Sequence, residues 1–97
     1  MPKAYWITAY RDIKDPAKLK AYAELAPPAT IPFGAKYLCR GNPQKIYEAG
    51  EMKRVVITEF PSLDKAIAAH DSPAYKKALD ALGDGAVRDI RIIEGLE

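Results

Sequence analysis

Residues Arg54–Tyr75 read RVVITEFPSLDKAIAAHDSPAY. Three elements follow one another here without a linker. Val55, Val56 and Ile57 are consecutive and β-branched, as in a strand buried on both faces. This strand is read as Lys53–Phe60. Ser62 then offers its hydroxyl to the free N–H groups of a helix, and Asp64 favours the positive end of the helix dipole. Leu63, Ala66, Ile67 and His70 fall at i, i+3, i+4 and i+7 and form one stripe. Ser72-Pro73 starts a second helix by the same logic, with Pro73 where a missing N–H is no loss. Tyr75, Ala78, Leu79 and Leu82 form its stripe, and Gly83-Asp84-Gly85 ends it.

The flanking segments complete the order. Lys3–Arg11 is rich in aromatic and β-branched residues and reads as the first strand. Asp15-Pro16 caps a helix whose buried face carries Leu19, Tyr22, Ala23 and Ala26. Pro27 and Pro28 are expected to break that helix, leaving a short turn to Phe33 that Gly34 closes in a left-handed conformation. Ala35–Arg40 is the next strand. The turn Gly41-Asn42-Pro43 then leads to a short return strand, Gln44–Ala49. Ala86–Glu94 is the last strand. Strand, helix, strand, strand, helix pair, strand is an α+β, ferredoxin-like βαββαβ order, with an antiparallel sheet and its helices on one face.

Ninety-seven residues make one domain, 1–97. With 48% hydrophobic and 29% charged residues, the composition is that of an ordinary globular protein. Fifteen basic and 13 acidic residues leave a net charge of +2 with no long run of one sign, which argues against a nucleic-acid arm. Nothing resembles a signal peptide or a membrane span, and the lone Cys39 cannot form an intrachain disulfide. A cytoplasmic location is expected. Cys39 itself reads as a small buried hydrophobe.

The second face of the sheet is unusual. In the first strand Tyr5, Ile7 and Ala9 point one way, and Trp6, Thr8 and Tyr10 the other. Neither set is reliably polar, although one face should meet water. Burying one aromatic side chain is worth roughly 1.5–3 kcal/mol, so a second copy packed sheet to sheet is the economical arrangement. Such a homodimer would enclose a ligand cavity between its sheets.

Several segments resemble the small proteins catalogued as domain of unknown function 1330 (DUF1330), in the dimeric α/β-barrel superfamily. They are Tyr5-Trp6-Ile7, Gly34 with Leu38–Gly41, Glu48 to Gly50, Arg54-Val55-Val56, Glu59-Phe60-Pro61-Ser62, Asp71-Ser72-Pro73 with Tyr75, and Glu94-Gly95. The resemblance covers almost the whole chain. It implies a ferredoxin-like fold and homodimerisation, packed as a dimeric α/β barrel, and no substrate. The sequence departs from the family pattern at Met52, where tryptophan is frequent, at His70, where an aromatic is frequent, and at Leu82, near where an arginine is common.

Candidate chemistry rests on few residues. His70, the only histidine, is read as a core residue or as a base facing the cavity, and Asp71 beside it points elsewhere if both are helical. Arg40, Glu48, Arg54 and Glu59 lie nearest the strand cores. Arg54 and Glu59, five apart on one strand, face opposite sides. Arg40 and Glu48 could meet across the hairpin as an ion pair. In a functional reading Arg40, Arg54, Glu59 and Tyr75 bind a ligand, while His70 and Glu48 handle a proton. No metal-ligand cluster or phosphate loop is present in the sequence, so neither metal nor cofactor is expected.

Four functions follow as expectations. The first is a cofactor-independent isomerase or monooxygenase acting on a small anionic or aromatic molecule, by analogy with other dimeric α/β barrels. The second is a non-catalytic binder of a small metabolite. RNA binding is disfavoured because KRVVITEF lacks the Gly and aromatic pattern on which bases stack. Haem binding through His70 is the fourth. No membrane partner is expected.

Overall fold

The computed structural model describes residues 2–96. Its elements are β1 (Ala4–Ile13), α1 (Pro16–Thr30), a 3-10 turn (Ile31–Phe33), β2 (Lys36–Gly41), β3 (Val55–Phe60), α2 (Leu63–His70), α3 (Pro73–Leu82) and β4 (Ala86–Glu94). The four strands lie in the order β2-β3-β1-β4, and every neighbouring pair is antiparallel. Each β-α-β unit is therefore split by a strand from the other unit, which is the ferredoxin-like arrangement. The smallest principal extent is only 15 Å, because one layer of helices covers one face of the sheet and leaves the other open.

Strand alternation sorts the side chains as read from the sequence. Ala4, Trp6, Thr8 and Tyr10 are buried beneath the helices, while Tyr5, Ile7 and Ala9 are half-buried on the open face. Phe60 and Tyr75 are the largest fully buried side chains. Trp6 joins them, with ring centroids 6.0 Å from Phe60 in a stacked pair and 4.9 Å from Tyr75 edge-on. Such aromatic pairs add about 0.5–1.5 kcal/mol beyond the area they bury. Ala66, Ala69 and Ala78 complete the core, being small enough to bring α2 and α3 close to the rings. Ile67 remains largely exposed, so the buried face of α2 runs through Ala66 and Ala69 rather than through Ile67.

The helix caps form where their side chains predict. Asp15 accepts hydrogen bonds from the backbone N–H groups of Ala17 and Lys18. Ser62 accepts from Lys65 N–H. Ser72 accepts from Tyr75 N–H and donates to the Ala69 carbonyl at 2.8 Å, tying α2 to α3. Gly34 adopts φ 94° at the end of the 3-10 turn, and a Cβ there would sit 2.6 Å from Pro61 Cγ. Gly34→Ala therefore meets both a strained φ and a clash. It is expected to cost about 1–3 kcal/mol, measured as a lower urea midpoint with an unchanged slope.

Three expectations are corrected. Pro27 and Pro28 do not break α1, which continues through both to Thr30. They fall in its last turns, where the helix forgoes only two backbone bonds. The Thr30 hydroxyl donates to the Ala26 carbonyl at 2.9 Å and so helps hold that end. Gln44–Ala49 forms no strand. Pro43 lacks a donor, and the segment closes on itself where Gly50 N–H bonds the Tyr47 carbonyl at 2.9 Å. Cys39 is exposed rather than buried, because a register shift between Tyr37 and Cys39 breaks the alternation and turns it onto the open face opposite Ile57. Among the described residues, no helix is long and apolar enough to cross a membrane.

Candidate functional site

A cavity lies between the covered face of the sheet and α1. Register builds its floor in rows. Tyr37, Thr58 and Trp6 lie side by side across β2, β3 and β1, and Arg40, Val56 and Thr8 form the next row. At the end of the floor, Tyr10 of β1 is flanked by Arg54, whose carbonyl accepts its backbone N–H, and by Arg88 of β4. Helix α1 packs chiefly on α3, and the space lies beneath it. It supplies Leu19, Tyr22, Ala23, Pro27 and Thr30 to the roof, and Tyr75 of α3 reaches the same space. About 40 Å3 is open to water centres, room for roughly three waters. A larger occupant has to extend past the exposed and half-buried lining residues, Arg40, Arg54 and Arg88 among them.

The cavity is cationic and aromatic. Arg88 is held between two rings, with its guanidinium carbon 4.6 Å from the Tyr22 centroid and 5.7 Å from that of Tyr10. Arg54 lies 5.9 Å from the same Tyr10 centroid, and Arg40 lies 5.7 Å from that of Tyr37. Each stacked contact is worth about 0.5–2 kcal/mol. Among the described residues, no Asp, Glu or His lines the cavity. Two like charges roughly 10 Å apart repel by about 1–2 kcal/mol at an effective dielectric constant near 20, and no anionic side chain in the lining offsets this.

The hydroxyls are paired. Tyr22 and Tyr75 share a hydrogen bond of 2.6 Å, and Thr30 and Tyr37 share one of 2.9 Å. Burial pushes the Tyr75 hydroxyl far above its ordinary pKa, Tyr22 adds to the rise, and Arg88 offsets only part of it. Burial likewise raises Tyr37. Both are neutral hydrogen-bonding groups at physiological pH. Burial opposes the charge of Arg88, but the surrounding tyrosine oxygens, Tyr22 foremost, outweigh it and hold the guanidinium above its ordinary range.

The structure brings together three of the six candidate residues and separates the rest. Arg40, Arg54 and Tyr75 line the cavity. His70 does not. Its ring packs against Trp6 and Tyr75, at centroid distances of 5.3 and 5.2 Å. It does reach Asp71, with Nδ1 3.2 Å from Oδ1, contrary to the expectation that the two point apart. Asp71 has left helical geometry (φ −89°, ψ 2°), so its side chain folds back. Glu48 is exposed in the β2–β3 connection with φ 52°, and among the described residues it forms no ion pair with Arg40. Glu59 faces the open side of the sheet and pairs with Lys3 at 3.1 Å. The cavity itself lies on the helix-covered face, not on the face expected to meet a second copy.

Arg88 was not singled out by the sequence. Its signal lies in β4, where Ile90 and Ile92 point beneath the helices, and two residues back on that alternation stands Arg88. It supplies from a strand the kind of group that Leu82, buried on α3, does not.

The family model for the domain of unknown function DUF1330 matches residues 3–96. Among curated proteins nothing matches the chain. Among solved structures it is similar to a protein of unknown function from Rhodopseudomonas palustris, at 16% identity and TM-score 0.76 over 99% of this chain and 84% of that one. It is also similar to SnoaB, a cofactor-independent oxygenase from Streptomyces nogalater, at 10% identity and TM-score 0.69 over 100% and 96% of the two chains. A dimeric ferredoxin-like protein of unknown function from Thermobifida fusca aligns at 22% identity and TM-score 0.65 over 96% and 91%. Likenesses at these identities establish the fold and not a shared reaction. The match over residues 3–96, together with the βαββαβ fold, makes this chain a member of the DUF1330 family.

Proposed function

We propose that the protein binds a small organic anion, aromatic or enolic, in the cavity between α1 and the sheet. One observation carries this reading: three guanidiniums line one cavity without an acidic partner there. A desolvated charge is costly unless paired and hydrogen-bonded, so the half-buried Arg54 and Arg88 favour an occupant of opposite sign, with the exposed Arg40 adding to the field at the rim. The tyrosine and tryptophan rings supply flat apolar walls beside it. In thermal-shift measurements, benzoate or salicylate is expected to raise Tm where benzyl alcohol at the same concentration does not. Equal effects of acid and alcohol would reject the reading.

Turnover is the second reading, favoured by the Tyr22–Tyr75 hydroxyl pair beside Arg88. Neutral hydroxyls and a guanidinium stabilise an enolate or phenolate oxygen, which is what a cofactor-independent isomerase or monooxygenase requires. The lining holds no carboxylate or imidazole to remove a proton, so such a substrate would have to arrive as an anion. A stabilising ligand recovered unchanged after prolonged aerobic incubation supports a binding protein; its consumption supports an enzyme.

The open sheet face supports a homodimer. Ile7, Ile57, Val55 and Ala9 are cross-strand neighbours at its centre, bordered by the Lys3–Glu59 and Arg11–Asp89 ion pairs. The wild-type protein is expected to sediment as two chains and Ile57→Asp as one. A wild type that sediments as a single chain at high concentration would remove the dimer.

A further inference from the structure

Resting on the anion-binding reading, we propose that the occupant carries two anionic groups, one met by Arg54 and the other by Arg88. Three buried side-chain nitrogens lack a hydrogen-bond partner among the described residues: Trp6 Nε1, Arg54 Nε and Arg88 Nη1. All three belong to residues lining the same cavity. Buried donors are paired in the great majority of cases, with protein, ligand or water, so three coinciding in one cavity offer an occupant three donors to meet.

Their backbone placement favours two acceptors over one. Arg54 immediately precedes β3 and Arg88 lies in β4, with Tyr10 of β1 between them. The backbones are two strand spacings apart, about 10 Å. Each guanidinium leans on the Tyr10 ring, at 5.9 and 5.7 Å from its centre. Arg88 is further clamped by Tyr22. A single carboxylate presents two oxygens and satisfies one guanidinium fork. The other arginine would stay desolvated and unpaired. A molecule with carboxylates at both ends, or a carboxylate and an ionised phenol, reaches both across Tyr10. Its middle lies against the ring, and Trp6 Nε1 provides a further donor in the floor.

The test uses the wild-type chain first. Succinate, glutarate and phthalate are compared with butyrate and benzoate by calorimetry and thermal shift at matched ionic strength, with inorganic phosphate as a dianion concentrated at one centre. At least one dicarboxylate is expected to bind about 10- to 100-fold more tightly than the monocarboxylate of the same skeleton and more tightly than phosphate. Arg54→Gln and Arg88→Gln, checked for unchanged circular dichroism, should each reduce dicarboxylate affinity to the monocarboxylate level. The monocarboxylate should weaken in only one of them. Equal affinity for mono- and dicarboxylates would overturn the two-point site while leaving anion binding intact, and so would phosphate binding as tightly as the best dicarboxylate. If no anion binds, the inference falls together with the reading beneath it.

Discussion

Replacing Tyr75 by alanine is expected to leave the protein barely folded. The side chain is fully buried, packs edge-on against Trp6 and hydrogen-bonds Tyr22. Truncating a buried aromatic residue costs about 3–5 kcal/mol, and a domain of this size has about 5–15 kcal/mol in total. The melting temperature should fall by more than about 10 °C. Tyr75→Phe separates the ring from the hydroxyl. It keeps the core contacts and loses one hydrogen bond, so about 0.5–1.5 kcal/mol is expected. It should also alter the alkaline limb of stability. The folded pKa of Tyr75 lies above its unfolded value near 10, so its contribution is fully present below that pH. Above it, the unfolded chain ionises while the folded one resists, and stability falls. Tyr75→Phe should flatten that fall. A Tyr75→Ala protein that melts near the wild type would contradict this account of the core.

Arg88→Met is expected to weaken the tightest-binding anion sharply while leaving the empty protein close to its original stability. Two effects oppose each other in the empty state. The substitution removes stacking on Tyr22 and Tyr10, worth about 0.5–2 kcal/mol per contact. It also removes a partly buried guanidinium that has no acidic partner in the cavity, and methionine fills the space apolarly. Once an anion is bound the balance changes, because truncating one member of a desolvated charge pair costs about 2–5 kcal/mol. The tightest anion found for the wild type should therefore weaken by about 30-fold or more. An undiminished anion-dependent thermal shift in Arg88→Met would show that the ligand sits elsewhere.

The cavity's wall was more legible than its chemistry. Trp6, Thr8 and Tyr10 share a face by simple alternation, and Arg54 joins them because it precedes Val56 and Thr58 by even steps. The same count, carried into β4, reaches Arg88. Period alone does not reveal that Arg54 and Arg88, 34 positions apart in the chain, flank one tyrosine. That depends on β1 lying between β3 and β4, a long-range pairing. Of the two readings of His70, the core one fits its packing and the cavity one does not. An apolar stripe assigned it to the buried side of α2, but the stripe did not say that Trp6 and Tyr75 would stand between it and the cavity. Glu48 misled because a hairpin was read into a segment whose Pro43 and local turn keep it out of the sheet.

Local chemistry by itself determined the helix starts at Asp15, Ser62 and Ser72, the left-handed Gly34, the strand faces and hence the ferredoxin-like order. Each depends on atoms within a few residues of one another. Tertiary structure alone decided that α1 runs through Pro27 and Pro28, that it roofs a cavity over the sheet, and that Arg40, Arg54 and Arg88 share that space without a carboxylate. Those facts arise from contacts between elements distant in the chain. Their energies are set by what the fold removes from water, and that is not written in any local pattern.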